Sequence, residues 1–212
     1  MMILGLVFAY FFAGIPVGLL VGRMYGIADI RQHGSGNIGA TNILRVIGWK
    51  AGLAVWVIDL LKGLIPVLVA RHLLGLEGWG VGLAGLAATT GHCFSPFLGF
   101  TGGRGVSTSL GVVLGFFWPV GLLAFLVFVA VVKFTRYVSL GSMIGASSSA
   151  LWVLVFSSMV APYTLSYAVM AALCALVILY RHGPNIRRLL NGTEPKIGRK
   201  SQPEASAANG ED

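Results

Sequence analysis

Six long apolar runs with few charges, separated by short segments rich in glycine and basic residues, restrict this chain's fold more than any other feature. The runs are Ile3 to Val21, Ala51 to Ala70, Gly80 to Phe94, Gly105 to Val132, Met143 to Ser158 and Thr164 to Tyr180. About 17 to 25 apolar residues suffice to cross a hydrocarbon layer near 30 Å thick. Two of the runs, Gly80 to Phe94 and Met143 to Ser158, are short for that task. Gly105 to Val132 is too long for one ordinary span and carries Trp118-Pro119 near its middle, where the missing Pro N–H breaks a helix. Two helices of about 20 Å are predicted there, the first buried in protein or not fully crossing. The expected fold is therefore an all-α polytopic membrane bundle of seven hydrophobic helices.

Charge decides the orientation. With seven helices, the segment carrying Arg23, Arg31, Arg45 and Lys50 shares a side with Arg104, with Lys133 and Arg136, and with the tail carrying Arg181, Arg187, Arg188, Lys196, Arg199 and Lys200. Only Arg71 falls opposite. Six helices would put the tail across the membrane from the first basic loop, against the positive-inside tendency. The expected arrangement has the amino terminus out and the carboxyl terminus in.

Composition agrees with this reading. Charged residues make up 10% of the 212 residues, against about 25% in soluble domains. Mean hydropathy is +0.84, more apolar surface than a water-soluble fold of this size can hide. The net charge of +8 sits beside apolar runs, where it orients helices, so a nucleic-acid partner is not expected. One membrane domain over residues 1–200 is expected, with a disordered polar tail over 201–212. The first run lacks a basic leader and a small-residue cleavage pattern, so it reads as a retained helix. Cys93 and Cys174 show no metal or redox spacing and read as packing thiols.

Three polar segments fall on the same face in this topology. The first, His33 to Arg45 (HGSGNIGATNILR), has small residues whose backbone N–H groups form an anion-binding nest, with Arg45 as a bidentate fork for phosphate. Gly34, Gly36 and Gly39 satisfy GxGxxG formally, but a membrane helix precedes them where a dinucleotide fold needs a strand. A plain glycine turn capped by Ser35, Asn37 or Asn42 competes with the anion reading. The second, Thr101 to Ser109 (TGGRGVSTS), sets Gly102, Gly103 and Gly105 around Arg104; a helix C-cap followed by an N-cap is its bland alternative. The third, Arg181 to Gly198, flanks a Gly-Pro turn with His182 and Asn185. His182 is able to donate to phosphate or accept a proton, whereas Arg187 and Arg188 read as interfacial anchors. Asp59 and Lys62, three apart, share a helix face and read as a neutralised ion pair.

Taken together, SGNIGATNILR, GGRGVST and HGPNIRRLLNGTEPKIG, with RYVSLGS as a fourth likeness, resemble the acyl-phosphate-dependent glycerol-3-phosphate acyltransferases, the bacterial PlsY family. The likeness covers nearly the whole chain. It implies transfer of a fatty acyl group from acyl phosphate to the 1-hydroxyl of glycerol-3-phosphate, giving lysophosphatidic acid and phosphate. It further implies no cofactor, no metal, no acyl-CoA and no obligate protein partner, in a bacterial inner membrane with the active site facing the cytoplasm. Carried over by residue, Ser35, Arg45, His182 and Asn185 are the expected catalytic set. Gly36, Asn37, Gly39, Thr41, Asn42, Gly102, Gly103, Arg104, Gly105 and Ser142 are expected to bind substrate, and Glu194 to anchor the tail. Two positions depart from the pattern: Arg104 stands where Lys is usual and Ser107 where Ala is common, which keeps the charge but alters the donor geometry.

The residues suit that chemistry. Acyl phosphate is an activated mixed anhydride, so the protein's task is positioning and charge stabilisation rather than covalent catalysis. Acyl-CoA-dependent acyltransferases are expected to show a His and an Asp with four residues between them; the nearest match, His72 with Glu77, falls on the face opposite the motifs. Metal-dependent alcohol phosphotransferases need an aspartate cluster, and Asp29, Asp59 and Asp212 cannot form one. A small transporter using Asp59 and Lys62 accounts for the helices but not for three polar segments on one side.

Overall fold

The computed structural model describes residues 1–198, and among these every regular element is helical. The tail expected to be disordered, 201–212, lies outside the described residues. The chain forms α1 (Met2–Gly14), α2 (Val17–Met24), α3 (Ala40–Val46), α4 (Trp49–Leu68), α5 (Gly78–Cys93), α6 (Val106–Phe116), α7 (Trp118–Thr135), α8 (Val138–Val155), the single turn α9 (Ser157–Val160), α10 (Thr164–Arg181) and α11 (Gly183–Leu190). Five stretches are long and apolar enough to cross a membrane: Met2–Met24, Trp49–Leu73, Trp118–Thr135, Val138–Val155 and Thr164–Arg181. Large apolar side chains such as Leu126, Leu154 and Leu176 are exposed on these helices, where a bundle in water would carry charge.

Proline punctuates the spans. Pro16 separates α1 from α2, and Pro66 removes one rung inside α4, which passes into a π-helical turn at Val69–Leu73. The long run from Gly105 divides at Phe117, whose backbone turns extended at φ −159° and ψ 108°. Pro119 then sits in the first turn of α7, where its missing N–H costs no helical bond.

Of the two halves, α6 has 11 residues and is about 16 Å long, roughly half a hydrocarbon core. It survives at that length because it is enclosed by protein. A Cβ at Gly111 would collide with the Leu60 carbonyl, and one at Gly63 with the Thr108 carbonyl, so these two glycines let α4 and α6 touch backbone to backbone. The far end of α6 is closed by Arg71, whose guanidinium donates to the Phe116 carbonyl at 3.2 Å and to the Tyr167 hydroxyl at 2.9 Å. An orphan carbonyl deep in the bundle is thereby satisfied.

Candidate active site

At the opposite end of α6 the three polar segments meet around one cavity of about 280 Å³. The first segment is held by Asn42, which is 1% exposed. Its amide nitrogen donates to the carbonyls of Ile30, His33 and Asn37 at 3.3, 3.0 and 2.8 Å, while its oxygen accepts from the Ser35 N–H at 2.7 Å and the Ser35 hydroxyl at 3.2 Å. The loop's N–H groups are also consumed locally: Gly36 donates to the His33 carbonyl at 3.1 Å and Gly39 to Asn37 Oδ1 at 2.8 Å. Three N–H groups of the expected nest, those of Ser35, Gly36 and Gly39, are thus bonded within the loop. Gly36 does not line the cavity. Ser35, Asn37, Gly39, Thr41, Asn42 and Arg45 do.

The second segment lies flat against the end of α5. Gly103 donates to the His92 carbonyl at 3.1 Å, and Arg181 donates to the carbonyls of Gly102 and Gly103 at 2.8 and 3.2 Å. Gly105, at φ +77°, starts α6. Gly102 and Gly103 are therefore framework rather than lining, and they deliver Arg104 and Gly105 to the cavity wall. Burial is the main influence lowering the Arg104 pKa to about 10; Glu194 opposes it, and Arg188, Arg181 and Arg45 add to it. Arg104 still carries full charge at neutral pH.

In the third segment, His182 caps α10 and is 1% exposed. Its Nδ1 lies 2.8 Å from the Ile178 carbonyl, which only accepts, so Nδ1 carries the proton and Nε2 is left as an acceptor. Burial drives the pKa of His182 down to about 4; the Ile178 bond opposes this and the Arg104 charge reinforces it. Asn185, also buried, donates to Glu194 Oε1 at 2.6 Å, and Arg188 grips Glu194 Oε2 at 2.7 Å. Glu194 anchors the tail in the expected way, which brings Pro195, Lys196, Ile197 and Gly198 over the cavity. Asn185 Oδ1 is buried with no protein partner among the described residues.

Ser142, one turn into α8, donates to the Val138 carbonyl at 2.8 Å and lines this cavity. It also lines a second, narrow cleft between α6, α7 and α8, walled by Val113, Ala124, Phe125, Gly145 and Ala146. The cleft and the cavity share Trp56, Val106, Ser107, Phe128 and Ser142, so the charged cavity and the apolar cleft adjoin along a common wall.

Several lining residues carry no expected role in the sequence. Arg188 reads there as an interfacial anchor, yet it lines the cavity while Arg187 is exposed. Helical phase carries the signal: Asn185 and Arg188 are three apart on α11 and share a face. Lys196, Asp59 and His92 also line it. Asp59 forms the expected pair with Lys62 at 3.0 Å, and nothing in their own spacing indicates a nearby cavity.

A family model described as glycerol-3-phosphate acyltransferase matches residues 3–192. The chain belongs to the glycerol-3-phosphate acyltransferase family. The glycerol-3-phosphate acyltransferase of Geobacter sulfurreducens is 46% identical over 190 residues, 89% of this chain and 94% of that one. The enzyme of Parasynechococcus marenigrum is 43% identical over 196 residues, 92% and 90% of the two chains. A crystal structure of PlsY (YgiH), an integral membrane glycerol 3-phosphate acyltransferase in its glycerol 3-phosphate form, superposes with a TM-score of 0.86 at 40% identity, covering 93% of this chain and 96% of that one. Its lysophosphatidic acid form superposes with a TM-score of 0.84 at 38% identity. This acyltransferase is accordingly a multi-pass membrane protein, and its cavity is the natural place to seek the chemistry.

Proposed function

We propose that the chain transfers a fatty acyl group from acyl phosphate to the 1-hydroxyl of glycerol-3-phosphate, releasing lysophosphatidic acid and inorganic phosphate. The observation that carries this reading is one cavity in which Arg45, Arg104, Arg188 and Lys196 converge and which adjoins an apolar cleft. Cations suit two phosphate groups and the cleft suits a fatty chain.

In the step proposed, the hydroxyl oxygen attacks the carbonyl carbon, a C–O bond forms, and the bond from that carbon to the phosphate oxygen breaks. Phosphate leaves with the electron pair, steadied by the arginines. The hydroxyl proton passes to the departing phosphate or to His182 Nε2, the ring nitrogen left unprotonated by the Ile178 contact. Direct transfer is favoured over an acyl-enzyme because the cavity's Ser35 and Ser142 hydroxyls donate to Asn42 and to a backbone carbonyl, not to a base. No cofactor, metal or obligate protein partner enters the scheme.

The same reading assigns seven crossings, the short α5 and α6 included, with the amino terminus outside. It places the cavity on the cytoplasmic face of a bacterial inner membrane, as the basic segments favour. Purified protein supplied with palmitoyl phosphate and labelled glycerol-3-phosphate is expected to yield lysophosphatidic acid, and palmitoyl-CoA none. Product from palmitoyl-CoA alone overturns the donor assignment, and no product from either donor overturns the reading.

A further inference from the structure

Beneath the cavity lies a charged cluster that the reaction scheme does not use. Asp59, Lys62 and His92 are 3%, 3% and 5% exposed, and Asp59 and His92 form part of the cavity floor. The Lys62 ammonium donates to Asp59 Oδ1 at 3.0 Å and to the Ile15 carbonyl, at the break before Pro16, at 2.6 Å. His92 Nδ1 lies 3.5 Å from the same ammonium. Asp59 Oδ1 lies 3.7 Å from Nδ1, beyond hydrogen-bond reach, whereas the nearer ammonium has donors only, so Nδ1 faces it as an acceptor. Nε2 is turned toward Gly103, so close that a Cβ on Gly103 would occupy the ring's place. The main chain of His92 grips Gly103 as well, its carbonyl accepting the Gly103 N–H at 3.1 Å. The next residue is Arg104.

We propose that the Asp59–Lys62–His92 cluster is a positioning device for Arg104: Lys62 fixes the orientation of the His92 ring, and the ring with the His92 carbonyl seats the glycine loop that aims Arg104 into the cavity. Arg181 clamps the same loop from its other side through the Gly102 and Gly103 carbonyls, so the peptide before Arg104 is held between two supports. Filling this space does not by itself call for charge. Buried ion pairs are often no more stabilising than apolar residues of like volume, and charges within a membrane bundle are expensive. What the cluster supplies, and leucines would not, is one ring orientation matched to a side-chain-free neighbour.

The inference rests on Arg104 binding the phosphate of glycerol-3-phosphate, and its test needs no acyl donor. The affinity of the detergent-purified protein for glycerol-3-phosphate is measured by calorimetry for wild type, His92→Phe, Gly103→Ala and Arg104→Ala, and for the first two substitutions combined with Arg104→Ala. Contacting residues commonly couple strongly enough that His92→Phe and Gly103→Ala should each weaken binding about tenfold with Arg104 present, and less than about twofold without it. His92→Asn, which keeps an acceptor toward Lys62, should recover part of the loss, and kinetics should show it in the KM for glycerol-3-phosphate more than in the KM for palmitoyl phosphate. Equal weakening in both Arg104 backgrounds, or unchanged affinity in folded His92→Phe and Gly103→Ala, overturns the proposal. Should His92→Phe fail to fold, Gly103→Ala carries the comparison. Failure of wild type to use palmitoyl phosphate would refute the donor assignment and leave this binding test in force.

Discussion

Arg104 and His182 show how burial sets the character of single residues in this cavity. Arg104 remains a cation at pH 7, since a pKa lowered to about 10 is still well above it. A charge-assisted hydrogen bond contributes about 1.5 to 3 kcal/mol, so Arg104→Ala is expected to lower kcat/KM for glycerol-3-phosphate roughly tenfold to a hundredfold. Arg104→Lys keeps the charge and should recover most of that loss in steady-state kinetics; a variant as impaired as the alanine would show that the planar fork, not the charge, does the binding. For His182 the consequence concerns pH. In the unfolded chain its proton binds near pH 6.5, and in the fold near 4. Its contribution to stability is therefore complete above pH 6.5 and is lost as pH falls toward 4. Thermal unfolding in detergent should show a drop between pH 6.5 and 4.5 that is flatter in His182→Gln; identical slopes would place the titration elsewhere.

At the scale of elements, glycine and proline determine what the apolar pattern alone leaves open. The break at Phe117 was legible because Pro119 fits best in the first turn of a helix, where its missing N–H costs no bond. The short length of α6 already pointed to burial in protein or an incomplete crossing, but its packing partner was not legible, since Gly63 and Gly111 reveal their contact only once α4 and α6 are side by side. In the same way the loop from His33 to Arg45 announces a turn and an anion site equally well. Only the fold shows Asn42 gathering the carbonyls of Ile30, His33 and Asn37 and the Ser35 N–H, which fixes the loop's shape at the cavity wall. The cleft between α6, α7 and α8 yields a prediction at this scale. Gly145 lies against the Ala124 carbonyl and Phe128, so a larger side chain has little room except toward the cleft. Gly145→Leu is expected to cut turnover of palmitoyl phosphate about tenfold or more while sparing an eight-carbon donor, because each excluded methylene forgoes roughly 0.8 kcal/mol. Equal slowing of both donors would remove the acyl chain from this cleft.

For the whole molecule, the membrane character and the meeting of three segments could be read from apolar runs and charge parity. Both depend on periodicity and sign, which survive without coordinates. The tail's closure over the cavity by Glu194, and the arrival of Arg188, Lys196, Asp59 and His92 at the same place, depend on contacts between distant parts of the chain. On the proposed reaction, this chamber would bring two phosphorylated molecules together beside an apolar slot, so that a hydroxyl meets an activated acyl group without an intermediate on the protein. Incubation of the purified enzyme with palmitoyl phosphate and radiolabelled inorganic phosphate, in the absence of glycerol-3-phosphate, tests this most directly. Direct transfer predicts that no label enters palmitoyl phosphate. Label incorporated before any glycerol-3-phosphate is added would reveal an acyl-enzyme and contradict the account.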